Sequence, residues 1–345
     1  LNRLIFDEIL STFLINSKIR KTIKKVKKSK KKFDNSRINE IKKRIGFDLT
    51  KDQLIAIDQI NNDLKSNQKM FRLLQGDVGS GKTIVALIAS LNVISSGFQV
   101  CLMAPTEILA KQHYNLAKKL FDKNINIKIL TSKTEYKERK EILRDLENNA
   151  INIIIGTHSL FQEKVVYHKL GLIIIDEQHK FGVKQRKKLS DKGGKNCDVL
   201  VMSATPIPRT MIMTVFGDMD TSIIKNKPKI RKEIKTFSKL ESKINDVIMF
   251  IKKQINQQNQ VFWVCPLIEE SKKIDHQSSI KRWECLKKIF KNKVGLLHGA
   301  LDKDEKNDIL EKFLNKKIDI LVSTTVIEVG IDFPNANIII IENAN

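Results

Sequence analysis

The sequence predicts an α/β chain of two parallel-sheet units, the second incomplete, preceded by a basic helical segment. Three observations lead there. From Phe47 onward short β-branched runs alternate with longer amphipathic stretches, the pattern of strands joined by crossover helices. The 345 residues, 41% of them hydrophobic, suffice for two cores at roughly 150 residues per domain. Finally, the run GDVGSGKT at 76–83 stands where a strand pattern gives way to a helix pattern, the setting of a phosphate-cradling loop. With only 14 Gly and 6 Pro, the chain is neither collagen-like nor broadly disordered.

Residues 1–45 read as helix, because Leu4, Ile5, Ile9, Leu10, Phe13 and Leu14 recur at helical spacing and Ile19, Ile23 and Val26 continue a thinner stripe. Ten of the fifteen residues in 18–32 are Lys or Arg and none is acidic. That stretch reads as a phosphate-facing helix or as a solvated linker, the second being preferred. Strands follow at 71–75, 100–104, 127–130, 151–156, 171–176 and 199–203, then in a second set at 261–265, 294–297, 319–323 and 337–342. The two sets are expected to join near 220–240, with Lys227, Pro228, Lys229 and Ile230 as the linker. The resulting division is 1–45, 46–225 and 226–345. Both ends look cut, since the first residue is Leu and the last strand runs to Asn345 with no helix behind it, so an internal piece of a longer protein is expected.

The net charge is +24, but 52 of the 63 basic residues are lysine in a chain also rich in Ile and Asn. A polyanion partner and a merely solvated lysine surface explain that bias equally well. Cysteines 101, 197, 265 and 285 are too widely spaced for a zinc knuckle or a disulfide scaffold, and read as free thiols of a reducing cytoplasm. No apolar run approaches about 18 residues, so no membrane span is expected. The amino end lacks the order of a signal peptide. Nothing demands more than a monomer.

The loop at 76–83 carries the chemistry. Gly76, Gly79 and Gly81 let backbone N–H groups converge on phosphate oxygens, Lys82 reaches the β- and γ-phosphates, and Thr83 ligates magnesium. ATP with Mg²⁺ is the expected cofactor. An acidic partner is supplied by the apolar run 172–175, which ends in Asp176, Glu177, Gln178 and His179. Asp176 is expected to hold the metal, and Glu177 to orient and deprotonate the attacking water. Without the phosphate loop the pair would read as an ordinary polar strand end. Ser203, Ala204 and Thr205 follow another apolar strand and either bond across to the acidic motif or simply cap a helix.

Taken together, RLLQGDVGSGKT (72–83), MAPTEILA (103–110), GTHSLFQ (156–162), IIDEQHKFGVKQR (174–186), MSATPIPRT (202–210), VCPLIEES (264–271) and STTVIEVGIDFPNA (323–336) resemble the helicase core of the RecG family, superfamily-two DNA translocases of bacteria. The resemblance covers roughly 46–344 and rests on seven ordered motifs. It implies two RecA-like lobes that close on ATP and remodel stalled forks and other branched DNA in the cytoplasm, near the nucleoid. It implies that Gln53 reads the adenine edge, and that Lys82, Asp176, Glu177, Gln178 and His179 are catalytic. Gly330 and Asp332 then complete the nucleotide site together with Ser80 and the loop glycines. Pro105, Thr106, Thr157, Thr324 and Thr325 touch DNA, with Glu107 and Glu328 in the same motifs, and Ser203, Ala204 and Thr205 couple the two activities. Contact with phosphates rather than base edges makes DNA binding independent of sequence. With 16 Phe, 2 Trp and 3 Tyr and no basic-aromatic interleave, base stacking does not dominate.

Departures from the family pattern are Ala300 and Lys180 in place of Arg and Ile230 in place of Gly. The related transcription-repair coupling factors differ at the positions of Ser80 and Gln178. The resemblance also places the arginine finger, a downstream hairpin and an amino-terminal wedge outside these residues, so the isolated chain is expected to bind ATP and DNA but to hydrolyse slowly. A nucleic-acid-binding remnant without useful catalysis and a phosphate-loop ATPase switch acting on proteins are the competing readings.

Overall fold

The computed structural model describes residues 3, 10–11, 14, 28–31, 41, 43–177, 192–205, 219–226, 234–265, 272–324 and 331–343. The chain divides into two compact units, Leu1–Arg231 and Lys232–Asn345.

In the first unit the order is α1 (Lys51–Lys65), β1 (Phe71–Gly76), α2 (Lys82–Ser95), β2 (Gln99–Met103), α3 (Glu107–Leu120), β3 (Ile127–Leu130), α4 (Tyr136–Glu147), β4 (Ile153–Gly156), β5 (Leu170–Ile175), β6 (Asp198–Ser203) and β7 (Asp220–Ile224). The strands form one seven-stranded sheet in the order β3-β4-β2-β5-β6-β1-β7. Each described pairing in it is parallel. Strands such as IIIG and LGLIII are apolar throughout because helices cover both faces of such a sheet. Helix α2 is buried from Val85 to Ile94, including Ser90 and Asn92, and is therefore apolar nearly all round. Asn92 answers its burial by donating to Asn61 Oδ1 of α1 at 2.9 Å.

The stretch 220–240 is not wholly a connection. Its first residues form β7, which pairs with β1 from Arg72↔Asp220 to Gly76↔Ile224. DTSII lacks the apolar run that marks the other strands, and polar bonds fix it instead. Arg72 Nη1 donates to Ser222 Oγ at 3.0 Å, Ser222 Oγ donates to Gln59 Oε1 at 2.5 Å, and the amides of Lys225 and Asn226 both donate to Asp52 Oδ2 at 2.9 Å. The linker residues Lys227, Pro228, Lys229 and Ile230 lie outside the described residues.

In the basic segment, residues 28–31 are not helical, and of their three lysines only Lys30 is exposed. Lys28 and Lys31 are buried, and both ammonium groups donate to Asp198 at the start of β6, Lys28 at 2.6 and 2.8 Å. Lys28 N donates to Asn67 O and Lys31 N to Leu64 O. Burial pulls the Lys28 ammonium below its usual pKa even though Asp198 opposes the shift.

The second unit runs α5 (Ile244–Asn256), β8 (Gln260–Val264), α6 (Lys272–Phe290), β9 (Val294–Leu297), α7 (Lys303–Leu314), β10 (Ile320–Ser323) and β11 (Ala336–Ile341). Its parallel sheet has the order β11-β8-β10-β9, and Trp263, Ile251, Leu286, Ile320 and Val322 fill its core. One device recurs in both units. Buried Gln99, at the head of β2, donates to Leu146 O at the end of α4 and to Ile151 O ahead of β4, while buried Gln260, at the head of β8, donates to Phe313 O at the end of α7 and to Ile318 O ahead of β10. In each case one buried amide ties the end of a helix to the residue that leads into a neighbouring strand, and its own donors are satisfied next to the core.

Among the described residues no helix is long and apolar enough to cross a membrane, and all four cysteines are free.

Candidate active site

Parallel sheets present their carboxyl ends as a ligand-binding edge. At that edge β1 leads into the phosphate loop, β5 into Asp176-Glu177, and β6, which lies between them, into Ser203-Ala204-Thr205. Strand order alone thus brings three separated motifs to one place.

The loop's geometry explains its glycines. Gly79 and Gly81 adopt φ of 69° and 87°, the left-handed region that disfavours side chains. A Cβ on Gly81 would also collide with the Gln53 amide, and one on Gly76 with Ser80 Oγ. Gly81 is the N-cap of α2, and no side chain caps that helix start. Lys82 is buried, and its Nζ donates to Gly76 O at 2.7 Å and Asp77 O at 3.1 Å. Desolvation lowers its pKa, against the opposing pull of Asp176, Glu177 and Asp77. Thr83 begins the helix half-buried. Ser80 Oγ is buried without a hydrogen-bond partner.

Gln53 is fully buried in the first turn of α1. Its Oε1 accepts from Thr50 N at 2.8 Å, completing a capping box with Thr50, and its Nε2 donates to Ser80 O at 2.8 Å. As placed, both ends of this amide engage the chain, and the residue braces the phosphate loop.

Asp176 and Glu177 are both buried, in the mouth left by β5. Asp176 Oδ1 accepts from Glu177 N at 3.0 Å, and His113 Nε2 lies 2.8 Å from Asp176 Oδ2. Glu177 adopts φ of 48°, a left-handed conformation that costs a non-glycine residue roughly 1–3 kcal/mol and is typical of functional sites. Ser203 Oγ and Thr205 Oγ1 are 3.0 Å apart, and Gln75 Nε2 donates to Thr205 O at 3.3 Å, tying this motif to β1. Gln178 and His179 lie outside the described residues, as do Thr325, Glu328 and Gly330.

The residues fit a magnesium nucleotide. A buried hydroxyl without a partner and an ammonium held by carbonyl oxygens suit an anionic guest, and two adjacent buried carboxylates face that ammonium. Among the described residues no three His, Cys, Asp or Glu side chains cluster to hold a metal unaided. That agrees with Mg²⁺, which is usually held by one or two carboxylates together with substrate phosphates.

The remaining strand ends carry a second set. After β2, Pro105 precedes Thr106, whose Oγ1 accepts from Leu109 N at 3.3 Å and caps α3; buried Glu107 accepts from Ser132 Oγ at 2.5 Å in the loop after β3. Thr157 follows β4 and is buried at the head of a 3₁₀ turn, His158–Phe161. In the second unit Thr324 follows β10 and is buried, whereas Asp332 is exposed. His113 was not legible as a site residue from motif spacing. The available signal is a histidine on the apolar face of α3, between Ala110 and Ala117.

A parallel sheet with a phosphate loop after one strand, an Asp-Glu pair two strands away and a small hydroxyl motif between is the arrangement of a phosphate-loop nucleotide-binding lobe. The model of the DEAD/DEAH box helicase matches residues 50–214, and that of the helicase conserved C-terminal domain matches residues 242–345. The ATP-dependent DNA helicase RecG of Thermotoga maritima is 46% identical over 344 residues, 99% of this chain and 44% of the relative. That of Bacillus subtilis is 44% identical over 347 residues, 99% of this chain and 51% of the relative. A solved structure of RecG bound to a three-way DNA junction superposes with a TM-score of 0.84 at 41% identity, covering 98% of this chain and 44% of that one. Mss116p bound to single-stranded RNA and AMP-PNP, at a TM-score of 0.61 and 21% identity over 91% of this chain and 72% of that one, shares the fold. Over nearly its whole length the chain is similar to ATP-dependent DNA helicases of the RecG type. It spans about half the length of the curated relatives it matches.

Proposed function

We propose that this chain is the motor core of an ATP-dependent DNA helicase that remodels branched DNA, such as stalled replication forks and Holliday junctions, in recombination and repair. The single observation that carries the reading is the convergence of the phosphate loop and the Asp176-Glu177 pair at one sheet edge, in a chain 46% identical to a RecG helicase. The family relative solved on a three-way DNA junction supports branched DNA as the substrate.

In this reading Lys82 exchanges its bonds to Gly76 O and Asp77 O for the β- and γ-phosphate oxygens, which relieves the desolvation of its ammonium. Ser80 Oγ gains the partner it lacks. Thr83 and Asp176 would hold Mg²⁺, which would supply positive charge beside the phosphates. Glu177 takes the proton of the attacking water. Gln53 holds the loop in place from behind, and to read adenine its amide exchanges its bond with Thr50 N or Ser80 O for the base edge. Pro105, Thr106 and Thr157 contact the DNA backbone, Thr324 and Thr325 do so on the second lobe, and Ser203, Ala204 and Thr205 couple the two activities. Gln178, His179, Gly330 and Asp332 complete the nucleotide site on the strength of the family resemblance, as does closure of the lobes on ATP. The protein works as a monomer in the cytoplasm, on DNA.

Steady-state ATP turnover of the full-length protein, with and without forked DNA, tests this reading. Forked DNA raises turnover, Lys82→Ala abolishes it, and Glu177→Gln lowers it by about 10² or more. Wild-type turnover in the Lys82→Ala protein overturns the reading.

A further inference from the structure

We infer that His113 is a positioning residue that aims the Asp176 carboxylate, and that helix α3 links its DNA-facing end to that carboxylate. The inference rests on reading Asp176 as the magnesium ligand and Thr106 as a DNA contact.

His113 Nε2 lies 2.8 Å from Asp176 Oδ2, with side chains only 7% and 9% exposed. Against a carboxylate oxygen this nitrogen carries the proton and donates. Asp176 takes a second bond on Oδ1, from Glu177 N at 3.0 Å. One donor on each oxygen fixes rotation of the carboxylate plane and leaves a further acceptor site on each oxygen for a metal or its water. The backbone contribution alone would leave Oδ2 without its buried donor.

The histidine is mounted so that it can report on the other set of motifs. Helix α3 starts at the Thr106 cap, and His113 lies about 10 Å along the axis from that cap at 1.5 Å per residue. Ile108, Leu109, Ala110, Ala117 and Leu120 bury the same helix against the sheet, so it moves as a body. A second tie runs in parallel, because Asp176 N donates to Met103 O at 2.9 Å, the last residue of β2 before the turn that carries Pro105 and Thr106. A phosphate seated at Thr106 therefore bears on Asp176 through one helix and one backbone bond. A merely structural His-Asp pair would hold β5 to α3 and do nothing more.

Fluorescence of a mant-labelled ATP, titrated with Mg²⁺ in the presence and absence of a single-stranded oligonucleotide, separates the two roles. Wild type binds with a Mg²⁺ midpoint that the oligonucleotide lowers. His113→Leu raises the midpoint by about 10-fold, the loss typical when a partner of a metal-binding side chain is removed, and erases the oligonucleotide's effect. His113→Gln, whose Nε2–H can occupy the same place, restores both. Nucleotide binding in EDTA is the same in all three proteins. Should His113→Leu not fold, His113→Asn, which keeps polarity but falls short of Oδ2, takes its place. A wild-type midpoint and an intact DNA effect in His113→Leu overturn the inference, and a wild-type midpoint indifferent to DNA overturns the link through α3. Asp176→Asn separates this failure from that of the underlying site. If Asp176→Asn shifts the midpoint while His113→Leu does not, only the role of His113 fails; if neither shifts it, the reading of Asp176 as metal ligand fails as well.

Discussion

Lys82 shows how a residue that serves function can oppose stability. Its ammonium is buried and desolvated, and the desolvation outweighs the pull of Asp176, Glu177 and Asp77. A lysine whose pKa is lowered by folding destabilises the native state most at pH values below its folded pKa. That penalty fades as pH rises from the folded value toward 10.5, because the unfolded chain then holds a proton the folded one has released. Lys82→Met, which keeps the stem and removes the charge, is therefore expected to lose ATP turnover while melting no lower than wild type at pH 8. Any advantage of the variant shrinks as pH approaches 10.5. Scanning calorimetry across pH checks this, and a variant that melts well below wild type at pH 8 contradicts it. At this scale the sequence announces the loop glycines, Lys82 and the acidic pair, because a phosphate loop admits few residue types. It does not announce His113, whose meaning depends on β5 lying beside β2. Nor does spacing disclose that both ends of the Gln53 amide are engaged, since Ser80 lies in another element.

At the scale of elements, strands are legible where burial on both faces demands continuous apolar runs, as in β2, β4 and β5. β7 escapes that rule because Asp220, Thr221 and Ser222 open it and hydrogen bonds to α1 and β1 replace packing. Residues 28–31 escape it for a related reason. Lys28 and Lys31 read as solvated by charge alone, and only the tertiary structure supplies the buried Asp198 that accepts them. This latch joins the basic segment to the head of β6, with Lys28 Nζ also donating to Asp63 O at the end of α1. Asp198→Asn leaves two buried ammonium groups facing a neutral amide, so it should destabilise the first unit by about 3–5 kcal/mol, the usual cost of breaking a buried ion pair from one side. Adding Lys28→Met and Lys31→Met to that background should recover most of the loss. Urea denaturation of the three proteins measures it, and a single variant within about 1 kcal/mol of wild type would show the latch to be dispensable.

For the whole molecule the net charge of +24 left two explanations standing, a polyanion partner or a lysine-rich surface without one. The structure narrows the question by removing some lysines from the account. Lys28 and Lys31 share the single charge of Asp198 inside the first unit, and Lys82 is buried at the phosphate loop. Among the described residues, exposed Lys133, Lys137 and Lys140 flank the start of α4 close to the strand ends that carry Thr131 and Thr157. If these exposed charges meet DNA phosphates, counterions are released on binding and affinity must fall with salt. A footprint of six to ten phosphates loses about 10³ to 10⁵ in affinity between 50 and 200 mM salt, and duplexes of unrelated sequence fall together because phosphates carry no base identity. Fluorescence anisotropy with two duplexes of different sequence at several salt concentrations reads the slope directly. Replacing Lys133, Lys137 and Lys140 by alanine should make the slope shallower by up to about three phosphate contacts, without changing nucleotide binding in the absence of DNA. A slope that survives the triple substitution unchanged would place the DNA on another face, and the strand-end threonines would lose their proposed role with it.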